Sequence, residues 1–180
     1  MLLKLNEIDV TLTEDVRLHD GKPLVKKLLA FLAHSGDSWF DLIALFVLWL
    51  FAPNPWHSMA TLMAGSIIVL ALFVLAVKFL IGRKRPEGEW GAVYRNTDPH
   101  SFPSGHAART AMLTFLAFAF GTAWLGIVLG VWCILVCLAR VSLRVHYISD
   151  ILAGILLGIF AGWLVTALAP VLMSVFQFLF

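Results

Sequence analysis

The chain alternates long apolar runs with short blocks that hold all of its charge. Every Asp, Glu, Lys and Arg falls within residues 1–41, 78–109 or 140–150, and segments 42–77, 110–139 and 151–180 carry none. A membrane-spanning helix takes about 20 apolar residues, within a range of roughly 17–25. Residues 38–52 make a short first span, with Asp41 near its start and Pro53-Asn54-Pro55 closing it. The next span runs from Ser58 to Ile81 with Lys78 in its last turn, and a polar segment follows from Gly82 to about Phe102. A third span opens at Pro103 and reaches Gly121, and a fourth covers about 123–141. The fifth begins near Ser149 and reaches Pro170, with an apolar tail to Phe180. The predicted fold is therefore all-α: an integral membrane helical bundle of about five transmembrane helices.

Residues 2–33 do not read as a span. Lys4, Glu7, Asp9, Glu14, Asp15 and Arg17 interrupt Leu2, Leu5, Ile8, Leu12 and Val16, and Lys26 and Lys27 interrupt Leu24 to Ala33. Helices lying in the membrane interface fit this mixture, with a solvated arm as the alternative. The whole reads as one domain, 1–180, with an interfacial region 1–37 and a transmembrane bundle 38–180. With acidic residues near the start and no small-residue cleavage site, no cleavable signal peptide is expected.

Composition agrees with the pattern. Hydrophobic residues make up 61% of the chain, against roughly 45–50% in a soluble domain. Mean hydropathy is +0.91. A charge at the bilayer centre costs at least ~2.5–3.5 kcal/mol, so the charge-free segments belong in lipid. A net charge of +2 gives no reason to expect nucleic acid.

Consecutive spans are antiparallel, so sidedness can be counted. Residues 1–37, 82–102 and 142–148 fall on one face, and 53–57, the turn near Gly121 and the C-terminus on the other. Trp39, Trp56, Trp90 and Trp124 lie near span ends, as an aromatic belt would place them. Trp49, Trp132 and Trp163 lie deeper and are expected to pack. Gly154, Gly158 and Gly162 form a small-residue stripe on the fifth span, and Gly126 and Gly130 do so on the fourth. Packing within the bundle is the expected use, with dimerisation as the alternative. Cys133 and Cys137 share a helix face as small apolar fillers, with no disulfide or metal site implied.

The charged blocks carry candidate chemistry. His146 and Asp150, four apart, would share a helix face, where a carboxylate on one imidazole nitrogen makes the other more basic. Alone, a pair at that spacing is more often a structural hydrogen bond. Ser101-Phe102-Pro103-Ser104-Gly105-His106 reads as a turn into the third span. Gly105 lets the backbone approach a ligand, free N–H groups at a helix start bind phosphate oxygens, and Ser104 adds a hydroxyl. A plain helix cap with an incidental His106 is the alternative. Lys78, Arg85 and Arg140 are the cations of these blocks, and Lys78 and Arg140 lie at or inside span ends, where ionisable groups mark function. Guanidinium groups suit phosphate oxygens. For Arg83 and Lys84 a basic flank binding lipid headgroups is the plainer reading.

Together the blocks resemble the type 2 phosphatidic-acid phosphatase family, whose site is shared with the vanadium haloperoxidases. Lys78, six residues, then Arg85-Pro86; Pro103-Ser104-Gly105-His106; and Arg140, five residues, His146, three residues, Asp150 all match that pattern. The departure is Ala139, where the family usually has Ser. The resemblance implies metal-independent hydrolysis of a lipid phosphate or diphosphate monoester, with no cofactor. His146 would attack phosphorus and form a phosphohistidine, Asp150 would orient and stabilise it, and His106 would protonate the leaving oxygen. Lys78, Arg85, Arg140, Ser104 and the Gly105 N–H would hold the phosphoryl oxygens. Arg109 and Arg144 lie outside the pattern as possible substrate contacts.

The partners implied are a membrane lipid substrate and the bilayer itself. Phosphatidylglycerol phosphate, phosphatidic acid and a polyprenyl diphosphate are all compatible. A lipid phosphotransferase and a non-catalytic lipid-phosphate binder are the alternatives on the same site. Haloperoxidation fits poorly, because those enzymes are soluble and larger. The positive-inside rule would make the motif face cytoplasmic. The resemblance implies an extracytoplasmic site, and it is followed here because several of these cations are phosphate ligands.

Overall fold

The computed structural model describes residues 9–14, 16, 22–87 and 98–180. Among the described residues six long helices follow in order: α1 Pro23–Ser35, α2 Ser38–Phe51, α3 Trp56–Ile81, α4 Gly105–Phe120, α5 Ala123–Ser142 and α6 Ile148–Val175. Residues 9–14 are also helical, and a short 3₁₀ helix, Gln177–Leu179, ends the chain. Among the described residues there is no named strand, and one isolated bridge pairs Lys84 with His100.

Three helices, α3, α5 and α6, are long and apolar enough to cross a membrane. The pair α1 and α2, bent by 56°, adds a fourth if it is one broken span. Helix α4 takes the place of the third predicted span but has only 16 residues. At 1.5 Å per residue it is about 24 Å long, short of the ~30 Å hydrocarbon core. It has the most enclosed position, with Ala107 through Leu113 all buried. The other helices shield it, so its length need not match the bilayer.

Glycines decide how closely α6 approaches α4. A Cβ on Gly154 would lie 2.5 Å from the Ser104 carbonyl oxygen, and one on Gly158 would lie 2.1 Å from that of Ala108. A Cβ on Gly162 would meet Phe115, and one on Gly126 would meet Phe118. These stripes are used inside the bundle, where small residues let helix backbones come together. The core continues through Met63, Ile67, Leu70 and Val74 of α3 against Met112 and Leu116 of α4. Cys133 and Cys137 are buried and unbonded beside Ala107, Ala111 and Ile151, as fillers would be.

Past Pro170 the apolar tail extends α6, and one tryptophan departs from expectation. Helix α6 runs through Pro170 to Val175 without ending there. A membrane helix tolerates the missing N–H where local adjustments satisfy the backbone. Trp163 is not a packing residue: it is 56% exposed and its ring lies against Phe160. Gly162 beside it faces α4, and one residue further the helix has turned about 100° outward. Trp49 and Trp132 do pack, donating to the Leu179 carbonyl and the Ser35 hydroxyl at 3.2 and 2.9 Å. Trp90 lies outside the described residues, as do Leu2, Lys4, Leu5, Glu7, Ile8, Asp15 and Arg17.

Helix α1 closes the end of the bundle that carries the charged blocks. Its Leu29 and Ala33 are buried against Ala139, Leu143 and Val145. Leu24, Leu28 and Phe31 remain exposed on its outer side.

Candidate active site

The polar blocks meet at one end of the bundle. Gly82 ends α3 in the left-handed conformation (φ 64°), its N–H bonding the Lys78 carbonyl at 2.9 Å. Only glycine enters that region without cost. The reversal sends Arg83, Lys84 and Arg85 back across the site. The Ser101 N–H then donates to the Arg83 carbonyl at 2.8 Å, joining the first block to the second. Ser104 caps α4, accepting from Ala107 N–H at 3.4 Å, and its own N–H donates to the Asp150 carbonyl at 3.0 Å. That bond joins the second block to the third.

His146 sits in the connection after α5, two residues before α6 begins at Ile148. The expectation that His146 and Asp150 share a helix face is corrected accordingly. His146 precedes the helix, and its backbone is held by the Arg140 carbonyl, which accepts from Val145 and His146 N–H at 3.0 and 3.4 Å. The imidazole is 1% exposed. Its Nε2 lies 3.3 Å from Arg85 Nη1 and 3.4 Å from Arg140 Nη2. Guanidinium nitrogens only donate, so Nε2 presents a lone pair toward the cations and the ring proton belongs on Nδ1. Nδ1 lies 3.5 Å from Asp150 Oδ2, beyond hydrogen-bond distance. Burial, then the charges of Arg140, Arg85 and Lys78, hold His146 well below the ordinary histidine value. Burial and these neighbouring charges favour the neutral imidazole.

Asp150 is fully buried and its oxygens are committed. Oδ2 accepts from Tyr147 N–H at 2.9 Å and Oδ1 from Arg83 Nη1 at 2.7 Å. Arg83 also bonds Ser149 Oγ and Asp9 Oδ2, both at 2.6 Å, and stacks 4.0 Å over the Tyr147 ring. It is thus built into the site and is not a headgroup flank, whereas Lys84 is exposed. Nothing in the spacing separates the two. The N-terminal Asp9 that clamps Arg83 is 74 residues away.

Asp98 was also missed. One carboxylate oxygen pairs with Lys78 Nζ and with Arg85 Nη2, the latter at 2.7 Å, and the Asp98 carbonyl accepts from Arg85 Nε at 2.7 Å. Arg85 further donates to the Val145 carbonyl at 2.9 Å. The two cations converge on an anion, as a phosphate site requires, and here a side chain supplies it.

His106, second in α4, donates through Nε2 to Asp37 Oδ1 at 2.7 Å. Arg109 bonds Asp41 through Nε at 2.9 Å and Ser38 Oγ through Nη1 at 2.6 Å, holding the start of α2. Its Nη2 has no hydrogen-bond partner among the described residues. Arg144 points away: it adopts φ 55° and reaches the Glu87 carbonyl and Glu14, each at 3.4 Å. Gly105 leaves Val74 in ordinary contact distance of where a Cβ would be.

A cavity of about 200 Å³ adjoins this cluster. Lys78, His106, Arg109 and Asp98 line it together with Val74, Leu70 and Ile67 of α3. Spacings of four, eight and eleven residues back from Lys78 keep those apolar side chains on one helix face. The cavity therefore joins a cationic end to an apolar wall. Among the described residues no group of three or more His, Cys, Asp or Glu is placed to hold a metal ion.

Comparison with known proteins places this arrangement. Lipid A 4'-phosphatase of Bacteroides thetaiotaomicron is 33% identical over 94 residues, 47% of this chain and 42% of that protein. Decaprenylphosphoryl-5-phosphoribose phosphatase of Mycobacterium tuberculosis is 40% identical over 106 residues, 57% of this chain and 56% of the relative. The chain spans about half the length of these two relatives. The fold is that of the first transmembrane PAP2 type phosphatidylglycerolphosphate phosphatase from Bacillus subtilis. That match has a TM-score of 0.78 and 24% identity, covering 93% of this chain and 87% of the other. Aquifex aeolicus LpxE matches with a TM-score of 0.68 and 21% identity, over 86% of this chain and 93% of its own. With these neighbours and its three spanning helices, the chain is an integral membrane protein. The model of the PAP2 superfamily matches residues 59–173, which hold Lys78–Pro86, Pro103–His106 and Arg140–Asp150, and the chain belongs to that superfamily.

Proposed function

We propose that the chain is a metal-independent phosphatase acting on a lipid phosphate or diphosphate through a phosphohistidine. The observation that carries this reading is His146 Nε2, whose lone pair lies between Arg85 and Arg140 with a carboxylate behind Nδ1. A phosphoryl group held by those guanidinium groups and Lys78 would meet Nε2 in line. Fixed cations offset the charge that develops on its oxygens.

Nε2 attacks phosphorus, the bond to the lipid oxygen breaks, and protonated His106 gives that oxygen its proton. Water then attacks the phosphohistidine, neutral His106 takes a proton from it, and the P–N bond breaks to release phosphate and His146. Ser104 and the first N–H groups of α4 supply further donors at a helix N-terminus.

The apolar wall from Val74 to Ile67 supports a lipid substrate whose chain stays among the helices. The printed activities of the relatives, on lipid A, a decaprenyl-linked phosphosugar and phosphatidylglycerol phosphate, share a lipid-borne phosphate. Phosphatidylglycerol phosphate, phosphatidic acid and polyprenyl diphosphates are the substrates to test. The protein is multi-pass, with the charged end extracytoplasmic. Cysteines placed at Lys84 and at Asn54 would then react from opposite sides of intact cells, Lys84 from outside; labelling of Lys84 only from inside reverses the orientation.

The decisive assay is phosphate release from that lipid panel in detergent with EDTA. Acid-labile, alkali-stable phosphate should appear on the protein after rapid quench and vanish in His146→Ala together with turnover. Turnover by His146→Ala at the wild-type rate, or loss of wild-type turnover in EDTA, overturns the mechanism.

A further inference from the structure

The carboxylate facing His106 comes from outside the matched region. Asp37 sits at the break between α1 and α2, ahead of residues 59–173. It is the N-cap residue of α2, a place where aspartate normally bonds the helix's own N–H groups. Here it makes no such cap. Its Oδ1 reaches across to His106 Nε2 at 2.7 Å, and its Oδ2 accepts from His34 Nδ1 at 3.2 Å. The Asp37 backbone is fixed at both ends, its N–H bonding the His34 carbonyl and its carbonyl accepting from Phe40, at 2.9 and 3.1 Å. Gly36 presses on the imidazole: a Cβ there would lie 3.2 Å from His106 Cδ2 and from Val136 Cγ1.

We infer that Asp37 is a positioning residue for the leaving-group acid, holding His106 by Nε2 so that Nδ1 carries the transferred proton, with His34 fixing the carboxylate. This rests on the phosphatase reading given above. The physical need is charge. A general acid must be protonated when the lipid oxygen leaves, yet His106 is surrounded by cations. Burial first, then Arg140 on α5 and Arg109 on its own helix, disfavour a positive charge there, and Lys78 of α3 lines the same cavity. Asp37 is the carboxylate in contact with the ring and opposes them in part. Each histidine of the mechanism thus has its own carboxylate, Asp150 behind His146 and Asp37 behind His106. The two come from opposite ends of the chain.

The test exploits leaving groups. An alkyl lipid phosphate needs a proton on its departing oxygen; p-nitrophenyl phosphate expels a stable phenolate without one. Asp37→Ala should slow single-turnover cleavage of phosphatidic acid by about 10²-fold or more, the scale of general-acid catalysis. The burst of p-nitrophenol from the same preparation should stay near wild type, which also shows that the protein is folded. In Asp37→Asn the alkaline limb of kcat for phosphatidic acid should move to lower pH, because the imidazolium loses its anion. Asp37→Glu should recover part of the rate.

Equal loss on both substrates gives Asp37 a structural role only and overturns the inference. His106→Ala separates the two levels. If it shows the selective loss and Asp37→Ala does not, the inference alone fails. If His106→Ala cleaves phosphatidic acid at the wild-type rate, the phosphatase mechanism fails with it.

Discussion

The N–H of Ser104 donates to the backbone carbonyl of Asp150 at 3.0 Å, tying the start of α4 to the first turn of α6. That bond forms because the glycine stripe of α6 lets the helices close to backbone distance. Gly158 is the tightest point of the stripe, with the Ala108 oxygen 2.1 Å from where its Cβ would be. Gly158→Leu should destabilise the protein by about 3 kcal/mol or more, at the upper end of overpacking costs. Gly65→Leu, where a Cβ meets nothing within 4 Å, should be nearly neutral. Unfolding in a detergent titration compares them, and equal stability of the two variants would refute this account of the helix contact.

Arg83 bonds Asp150, the carboxylate beside His146. Its planar fork holds Asp9, Ser149 and Asp150 at once, and a lysine cannot reproduce that geometry. A hydrogen bond between charged groups contributes about 1.5–3 kcal/mol, so Arg83→Ala should lower kcat roughly ten- to hundredfold. KM should change little, because Arg83 does not line the cavity. Arg83→Lys should recover only part of the loss. A rise in KM with kcat intact would make Arg83 a headgroup ligand after all.

Asp98 would compete with a phosphate substrate for Lys78 and Arg85. Its one carboxylate pairs with both cations, and a phosphoryl group held by them would have to displace it. Asp98→Asn removes the competing charge. The inhibition constant of inorganic vanadate or phosphate should fall, on the order of tenfold for about 1.4 kcal/mol of recovered cation–anion interaction. Weaker inhibition in the variant would mean that Asp98 instead preorganises the cations for phosphate.

Much of the site was legible along the chain because its residues obey fixed local spacings. Lys78 and Arg85 flank the end of one helix, Ser104 and His106 open another, and Arg140, His146 and Asp150 bracket a single turn. Each block is short, and the apolar runs between blocks force them to one end of the bundle. Local spacing misjudged the join of His146 to Asp150, because a turn rather than a helix connects them. It also gave no means of telling Arg83 from Lys84. Both are basic residues after a helix end, and only a distant acid makes one of them structural.

By itself the sequence determined the all-helical membrane character, the shared end of the three motif segments and the cations Lys78, Arg85 and Arg140 that meet there. Exclusion of charge from lipid and the helical repeat act locally, so they leave a readable pattern. Tertiary structure alone decided the counter-charges: Asp37 on His106, Asp98 between Lys78 and Arg85, and Asp9 with Asp150 on Arg83. An ion pair needs only that two side chains arrive within a few ångströms of each other, from any distance along the chain. Such meetings have no period and no motif, and they exist only once folding brings those distant segments together at the end of the bundle.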